Sequence, residues 1–173
     1  MDVASFLPDR GTACPQYFRK GCPGNCGMLH ELTNLKRLEL LIAGAKKSVK
    51  MAMFILSHMP LVDILVSSFE RGVECQVLLD SKMKNEGNGP EVLKRLREVG
   101  MPVYVVGGEF HFHHKFCVID ESVVVTGSCN WTTAAFLTNR EAILFIGDDE
   151  ILNAFIREFQ QLWEDHGPSS SMS

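Results

Sequence analysis

The chain has 173 residues, 46% of them hydrophobic, with a net charge of -4. That length supports one substantial core but not two ordinary domains, and the acidic balance excludes a wholly basic nucleic-acid-binding surface. No run of about twenty apolar residues suited to crossing a bilayer occurs, and no secretory signal with a charged and then an apolar region is visible.

Met1 to Arg10 is too short and too polar to span a membrane, and residues 1–13 read as an N-terminal segment ahead of the domain. Cys14, Cys22, Cys26 and His30 follow, separated by Gly and Pro residues that permit tight turns. Three thiolates and an imidazole form a complete tetrahedral set for a structural zinc ion, in a module at 14–30. A disulfide or unrelated thiols are the alternatives, although three cysteines are an odd number for pairing. Cys75, Cys117 and Cys129 lie in apolar stretches and read as small core residues.

Thr33 caps a predicted helix with Leu35, Leu38, Leu41 and Ile42 on one face, ending in the basic pair Lys46-Lys47 that suits a helix C-terminus. Val49 to Ile55 reads as a strand and Pro60 to Arg71 as a helix stopped by Gly72, with His58 or Ser57 at its start. Cys75 to Leu79 is a second strand, Asn85 to Pro90 a loop, Pro90 to Val99 a helix ended by Gly100, and Val103 to Val106 a third strand. A hairpin is expected next, turning at Asp120-Glu121-Ser122 into Val123-Val124-Val125. A short helix at Trp131 to Leu137, a strand at Ala142 to Ile146 and a long amphipathic helix carrying Ile151, Phe155, Phe159, Leu162 and Trp163 complete the order. The predicted fold is α/β, a mixed central sheet with helices on both faces, in a single domain over 14–166 followed by a disordered tail at 167–173.

The hairpin concentrates the chemistry. Alternate side chains of a strand share a face, so His113 and Lys115 stand together, as do Ser128 and Asn130. A nucleophile, a cation and two neutral hydrogen-bonding groups would thus converge on one anion. Asp120 falls in the opposite phase and is assigned a structural role at the strand end. Lys82 and Lys84, after the second strand, with His111 and His114 flanking the motif, would form a local positive groove for a single strand of phosphates. A merely solvated loop is the competing account of the two lysines.

These residues spell H-x-K-x4-D-x6-G-S-x-N, and at them the chain resembles the phospholipase D superfamily. The resemblance implies that His113 attacks phosphorus, that Lys115, Ser128 and Asn130 hold the phosphate, and that Glu141 orients the histidine, with Asp120 completing the motif. It also implies a homodimer, because one chain carries one motif copy and a two-fold interface supplies the second histidine. No catalytic divalent metal is implied. Together with the Cys/Cys/Cys/His cluster, Asn139-Arg140-Glu141 and the acidic turn Gly147-Asp148-Asp149-Glu150, the motif is similar to the mitochondrial endoribonuclease branch of that superfamily, which serves the piRNA pathway. This implies single-stranded RNA, and some single-stranded DNA, as substrate, and the outer mitochondrial membrane facing the cytosol as location, reached through an anchor not found in this sequence. Cardiolipin hydrolysis to phosphatidic acid is the second expectation, and a non-enzymatic binding module the third.

Overall fold

The computed structural model describes residues 2–19 and 21–167. The tail expected at 167–173 falls outside the described residues except for Gly167. Seven strands form one sheet in the order β1-β7-β6-β5-β2-β3-β4. They are β1 (Val3–Phe6), β2 (Ser48–Met53), β3 (Glu74–Asp80), β4 (Val103–Val106), β5 (Lys115–Ile119), β6 (Val123–Gly127) and β7 (Ala142–Ile146). The helices are α1 (Pro15–Arg19), α2 (Asn34–Gly44), α3 (Met59–Glu70), α4 (Gly89–Glu98), α5 (Thr133–Leu137) and α6 (Asp149–His166), with a 3-10 turn at Ser81–Lys84. Strands β2, β3 and β4 run parallel, while β5, β6, β7 and β1 add antiparallel neighbours on the other side of β2. The expected mixed sheet with helices on both faces is present.

Strand alternation builds two cores. Met51, Met53, Val77, Leu79, Cys117, Ile119 and Val125 enter the larger cluster, which also takes residues of α2, α3, α4 and α5. Ala52, Leu78, Phe116, Val118 and Val124 face the other way and meet Leu152 and Phe159 of α6, with Phe155, Leu162 and Trp163 packed alongside. The aromatic stripe of α6 is therefore core packing. Cys75, Cys117 and Cys129 are buried as expected, and burial holds the Cys75 and Cys129 thiols up at about 12.

Several element ends differ from the sequence expectation for identifiable reasons. Helix α2 is capped by Thr33, whose hydroxyl accepts from Lys36 N at 3.1 Å, and the buried Asp9 carboxylate accepts from the amides of Asn34 and Leu35 at 3.0 and 2.9 Å. It ends at Gly44, not at Lys46-Lys47, because the amides of Lys46 and Lys47 turn outward to the Asp120 carboxylate. At the start of α3 neither Ser57 nor His58 supplies a side-chain cap. His58 is buried, and its Nδ1 lies 2.9 Å from Thr133 Oγ1 at the start of α5. The N-terminal segment contributes β1, an edge strand paired with β7 in the same sheet.

Candidate active site

Strand β5 and its neighbours deliver the motif to one end of the sheet. Register sets Met53 opposite Lys115, and the next amide, Phe54 N, donates to His114 O at 2.7 Å. Regular pairing stops there, so His113 sits just ahead of β5 instead of inside it. The chain leaves the sheet because Phe112 N donates to Asp80 Oδ2 at 2.7 Å, drawing the segment toward the end of β3. The imidazole and ammonium nevertheless meet: Lys115 Nζ is 3.2 Å from both ring nitrogens of His113 and donates to its carbonyl oxygen at 3.2 Å.

The hairpin beyond is locked by Asp120. Both Asp120 and Glu121 adopt left-handed backbone, with φ of 53° and 51°, a conformation that costs most non-glycine residues energy and suits the twist of a two-residue turn. The Asp120 carboxylate offsets this cost by accepting from the amides of Lys46, Lys47 and Ser48 at 2.9, 2.7 and 3.0 Å. Burial acts against the ionised form, but those three amides hold the carboxyl below the usual carboxylate range. Glu121 bonds Lys50 at 2.9 Å. Asp120 thus fastens the hairpin to the start of β2.

Ser128 follows β6. Its hydroxyl donates to Glu141 Oε2 and accepts from Ala142 N at 3.0 Å, and Asn139 Nδ2 donates to Glu141 Oε1 at 3.2 Å. Glu141 therefore spends both oxygens on Ser128 and Asn139 and, among the described residues, makes no hydrogen bond to His113. The orienting contact implied by the resemblance is not made among the described residues of this chain. Asn130 Oδ1 is the only buried side-chain oxygen or nitrogen without a hydrogen-bond partner among the described residues. Buried polar atoms normally find partners, and an acceptor oxygen such as this one could take a hydrogen bond from a donor.

Two residues absent from the motif organise the cations. The Phe54 ring lies 4.5 Å from the His113 ring and 5.6 Å from that of His111. Lys115 Nζ and Lys82 Nζ stand 5.0 and 5.7 Å from its centroid. Lys82 also approaches Glu86 at 3.7 Å, and His111 Nδ1 lies 3.9 Å from the buried Asp80 carboxylate. Lys84 is exposed at the end of the 3-10 turn. His114 is not brought to this group. It faces α6, 3.5 Å from Glu158 Oε1 and packed against Phe112 and Phe116. Strand alternation is the reason: if His113 and Lys115 share one face, His114 takes the other.

The electrostatics favour a nucleophile. Burial, Lys115 and His111 lower the His113 pKa, against an opposing pull from Asp80, which keeps the imidazole neutral and its lone pair available. Burial also lowers Lys115, with Glu141 opposing. A neutral imidazole beside a cation, with the Ser128 hydroxyl and the Asn130 Nδ2 donor in the segment after β6, can attack a phosphodiester and stabilise the added charge.

The second cluster assembles as a potential metal centre. The ligand atoms of Cys14, Cys22, Cys26 and His30 all lie within 4.8 Å of one another. Cys22 Sγ and Cys26 Sγ are 3.3 and 3.2 Å from His30 Nε2, close to the separation of about 3.5 Å between sulfur and nitrogen ligands on one tetrahedral zinc ion. A backbone bond from Cys14 N to Leu29 O at 2.7 Å closes the module, and Tyr17 stacks on His30 at 4.9 Å. All six cysteines are free thiols in this structure. The four residues could hold a metal ion.

Residues 38–163 match a family model described as "Cardiolipin synthase, PLD-like domain". The chain is similar to the mitochondrial cardiolipin hydrolases of Xenopus tropicalis, 36% identical over 89% of this chain and 71% of that protein, and of Homo sapiens, 35% identical over 87% of this chain. It spans only 58% of the human relative's length. Among solved structures it is similar to the phospholipase D family member Nuc of Salmonella typhimurium, with a TM-score of 0.73 and 18% identity over 96% of this chain and 97% of that one. NucT of Helicobacter pylori has a TM-score of 0.72 at 20% identity over 96% and 99%. At those identities the two structures attest the shared fold alone. The motif, the sheet that carries it and the family match over most of the chain place this protein in the phospholipase D superfamily of phosphodiesterases.

Proposed function

We propose that the protein is a single-strand-specific endoribonuclease of the Zucchini type, working as a homodimer at the outer mitochondrial membrane in piRNA biogenesis. The observation that carries the reading is the contact of Lys115 Nζ with the His113 ring at 3.2 Å. In the proposed reaction a ring nitrogen of His113 bonds to phosphorus and the P–O3′ bond breaks. The partner subunit's His113 gives its proton to the departing O3′. Water then attacks the phosphohistidine, the same partner imidazole takes the water's proton, and His113 leaves. The products carry 5′-phosphate and 3′-hydroxyl ends. No 2′-hydroxyl participates, so single-stranded DNA is cut as well. Lys115, Ser128 and Asn130 of both subunits stabilise the five-coordinate phosphorus without a divalent metal. The two histidines titrate as a coupled pair.

The Cys14, Cys22, Cys26 and His30 cluster holds a structural zinc ion in this reading. Zinc there supplies folding energy to the 14–30 module, not catalysis, since all four ligand positions are taken by protein. Within it, burial works against ionisation of Cys14, yet the Tyr17 backbone and the neighbouring thiols bring its pKa down to about 7, toward the thiolate that a metal requires. No helix among the described residues is long and apolar enough to cross a membrane.

A second reading, hydrolysis of cardiolipin to phosphatidic acid, is favoured by the names of the curated relatives and by Phe110, which is 85% exposed next to His111. The same histidine chemistry would serve it. One experiment separates the two: wild type and His113→Asn are each given end-labelled single-stranded RNA and cardiolipin vesicles. RNA cleavage by the wild type alone supports the nuclease reading. Release of phosphatidic acid with intact RNA would replace it by the second.

A further inference from the structure

Asp80 ends β3 directly after the apolar run Val77-Leu78-Leu79, and it is only 1% exposed. A carboxylate withdrawn so far from water is costly unless donors surround it. The donors belong to the two segments that frame the catalytic histidine. Oδ1 accepts from Lys82 N at 2.8 Å, opening the 3-10 turn that carries Lys82 and Lys84. Oδ2 accepts from Phe112 N at 2.7 Å, one residue before His113, and His111 Nδ1 lies 3.9 Å from the same oxygen. The Phe112 side chain is buried in the core against α6. The backbone ahead of His113 is thus pinned from both sides, by a ring in one core and an amide on one carboxylate. Residues 107–114 themselves belong to no helix or strand.

We propose that Asp80 is a positioning residue for the phosphodiester reaction: it fixes the 111–113 segment against the Lys82 turn, so that the His113 imidazole meets phosphorus while Lys82 and His111 flank the substrate. The inference rests on the reading of His113 as nucleophile. Asp80 also acts at a distance on His113. That imidazole faces Lys115 of β5, the Phe54 ring beyond β2, His111 and Asp80, with Lys82 on the same aromatic ring. Among these groups Asp80 supplies the negative charge, and it raises the affinity of His113 for a proton. Loss of the charge therefore shifts His113 deprotonation to lower pH.

The test uses the full chain and Asp80→Asn, assayed on bis(p-nitrophenyl) phosphate and on single-stranded RNA across the pH range. A carboxamide can accept one of the two amide bonds but not both. Displacement of the nucleophile by a fraction of an ångström to one ångström predicts a kcat loss of about 10- to 100-fold. KM for the small diester stays within about threefold, because the lost contact acts on the chemical step. The acid limb of the pH profile moves down. Asp80→Asn with wild-type kcat and an unshifted limb would overturn the proposal. So would a loss no greater than its loss of folded protein, again with an unshifted limb, since that marks a purely structural role. An inactive wild type would overturn the nucleophile reading and this inference with it. Should Asp80→Asn fail to fold, hydrogen exchange on the wild type decides: the Phe112 amide is expected to be strongly protected compared with Gly108, and equally fast exchange would overturn the proposal.

Discussion

Replacing Asp120 by Ala separates the two roles that a motif aspartate can have. Its carboxylate accepts from three successive backbone amides, of Lys46, Lys47 and Ser48, and it sits in a left-handed backbone conformation that alanine tolerates poorly. A hydrogen bond to a charged group contributes about 1.5–3 kcal/mol when buried. Two of the three amide contacts are exposed, so water recovers most of their energy, which leaves a loss of about 2 kcal/mol from hydrogen bonding. Backbone strain adds about 1 kcal/mol, for a total near 3 kcal/mol. For a chain of this size, that lowers the melting temperature by about 6–12 °C. The assay is thermal unfolding by circular dichroism, paired with phosphodiester turnover measured well below the midpoint. A large drop in stability is expected, with kcat within a fewfold of wild type. Loss of turnover with an unchanged melting temperature would refute the structural assignment and put Asp120 at the substrate.

Other expectations follow from the same geometry. The Asp120 carboxyl is depressed from 3.8, so its stabilising effect is complete above that value and lost as pH falls through the lower folded-state pKa; Asp120→Ala should flatten the acid limb of a urea-midpoint profile against pH, and an unchanged limb would contradict this. Because His113 is lowered from 6.5 by burial, Lys115 and His111, activity should persist below the ordinary imidazole range before failing, whereas an acid limb above 6.5 would show that partner charges dominate. Phe54→Ala removes the ring beneath Lys115, Lys82 and His113 and should lower kcat/KM at least about tenfold, with Phe54→Tyr close to wild type; an active Phe54→Ala enzyme would deny the ring that role. Purified protein should contain one zinc ion per chain by elemental analysis, and Cys26→Ser should lose it together with protease resistance in the 14–30 module; full zinc content in that variant would rule out this ligand set.

Alternation and turn chemistry made much of this architecture legible. The run from Lys115 to Ile119, the left-handed turn and the Val123 to Val125 return each carry a local signal, and the same alternation sorts Phe116 and Cys117 into opposite cores. Applied one residue further back, it sets His114 on the face opposite His113 and Lys115, toward α6. Strand β1 escaped because Val-Ala-Ser-Phe is short and half exposed at the sheet edge, and α1 because its five residues bury nothing. Phe54 and Asp80 were invisible for a different reason. Their importance arises from pairing across the sheet, Phe54 N on His114 O and Asp80 on Phe112 N, which no local window contains. An aspartate ending an apolar strand was the only available hint, since burying an acid there demands a partner. Glu141 shows the converse: the resemblance marks it, but its hydrogen bonds to Ser128 and Asn139 appear only in three dimensions.

The proposed reaction turns on a covalent bond between His113 and phosphorus. Wild-type protein mixed with substrate, quenched in alkali and digested for mass spectrometry should yield a peptide bearing a phosphoryl adduct on His113, absent from His113→Asn. Turnover without such an adduct, with RNA products ending in 2′,3′-cyclic phosphate, would contradict it.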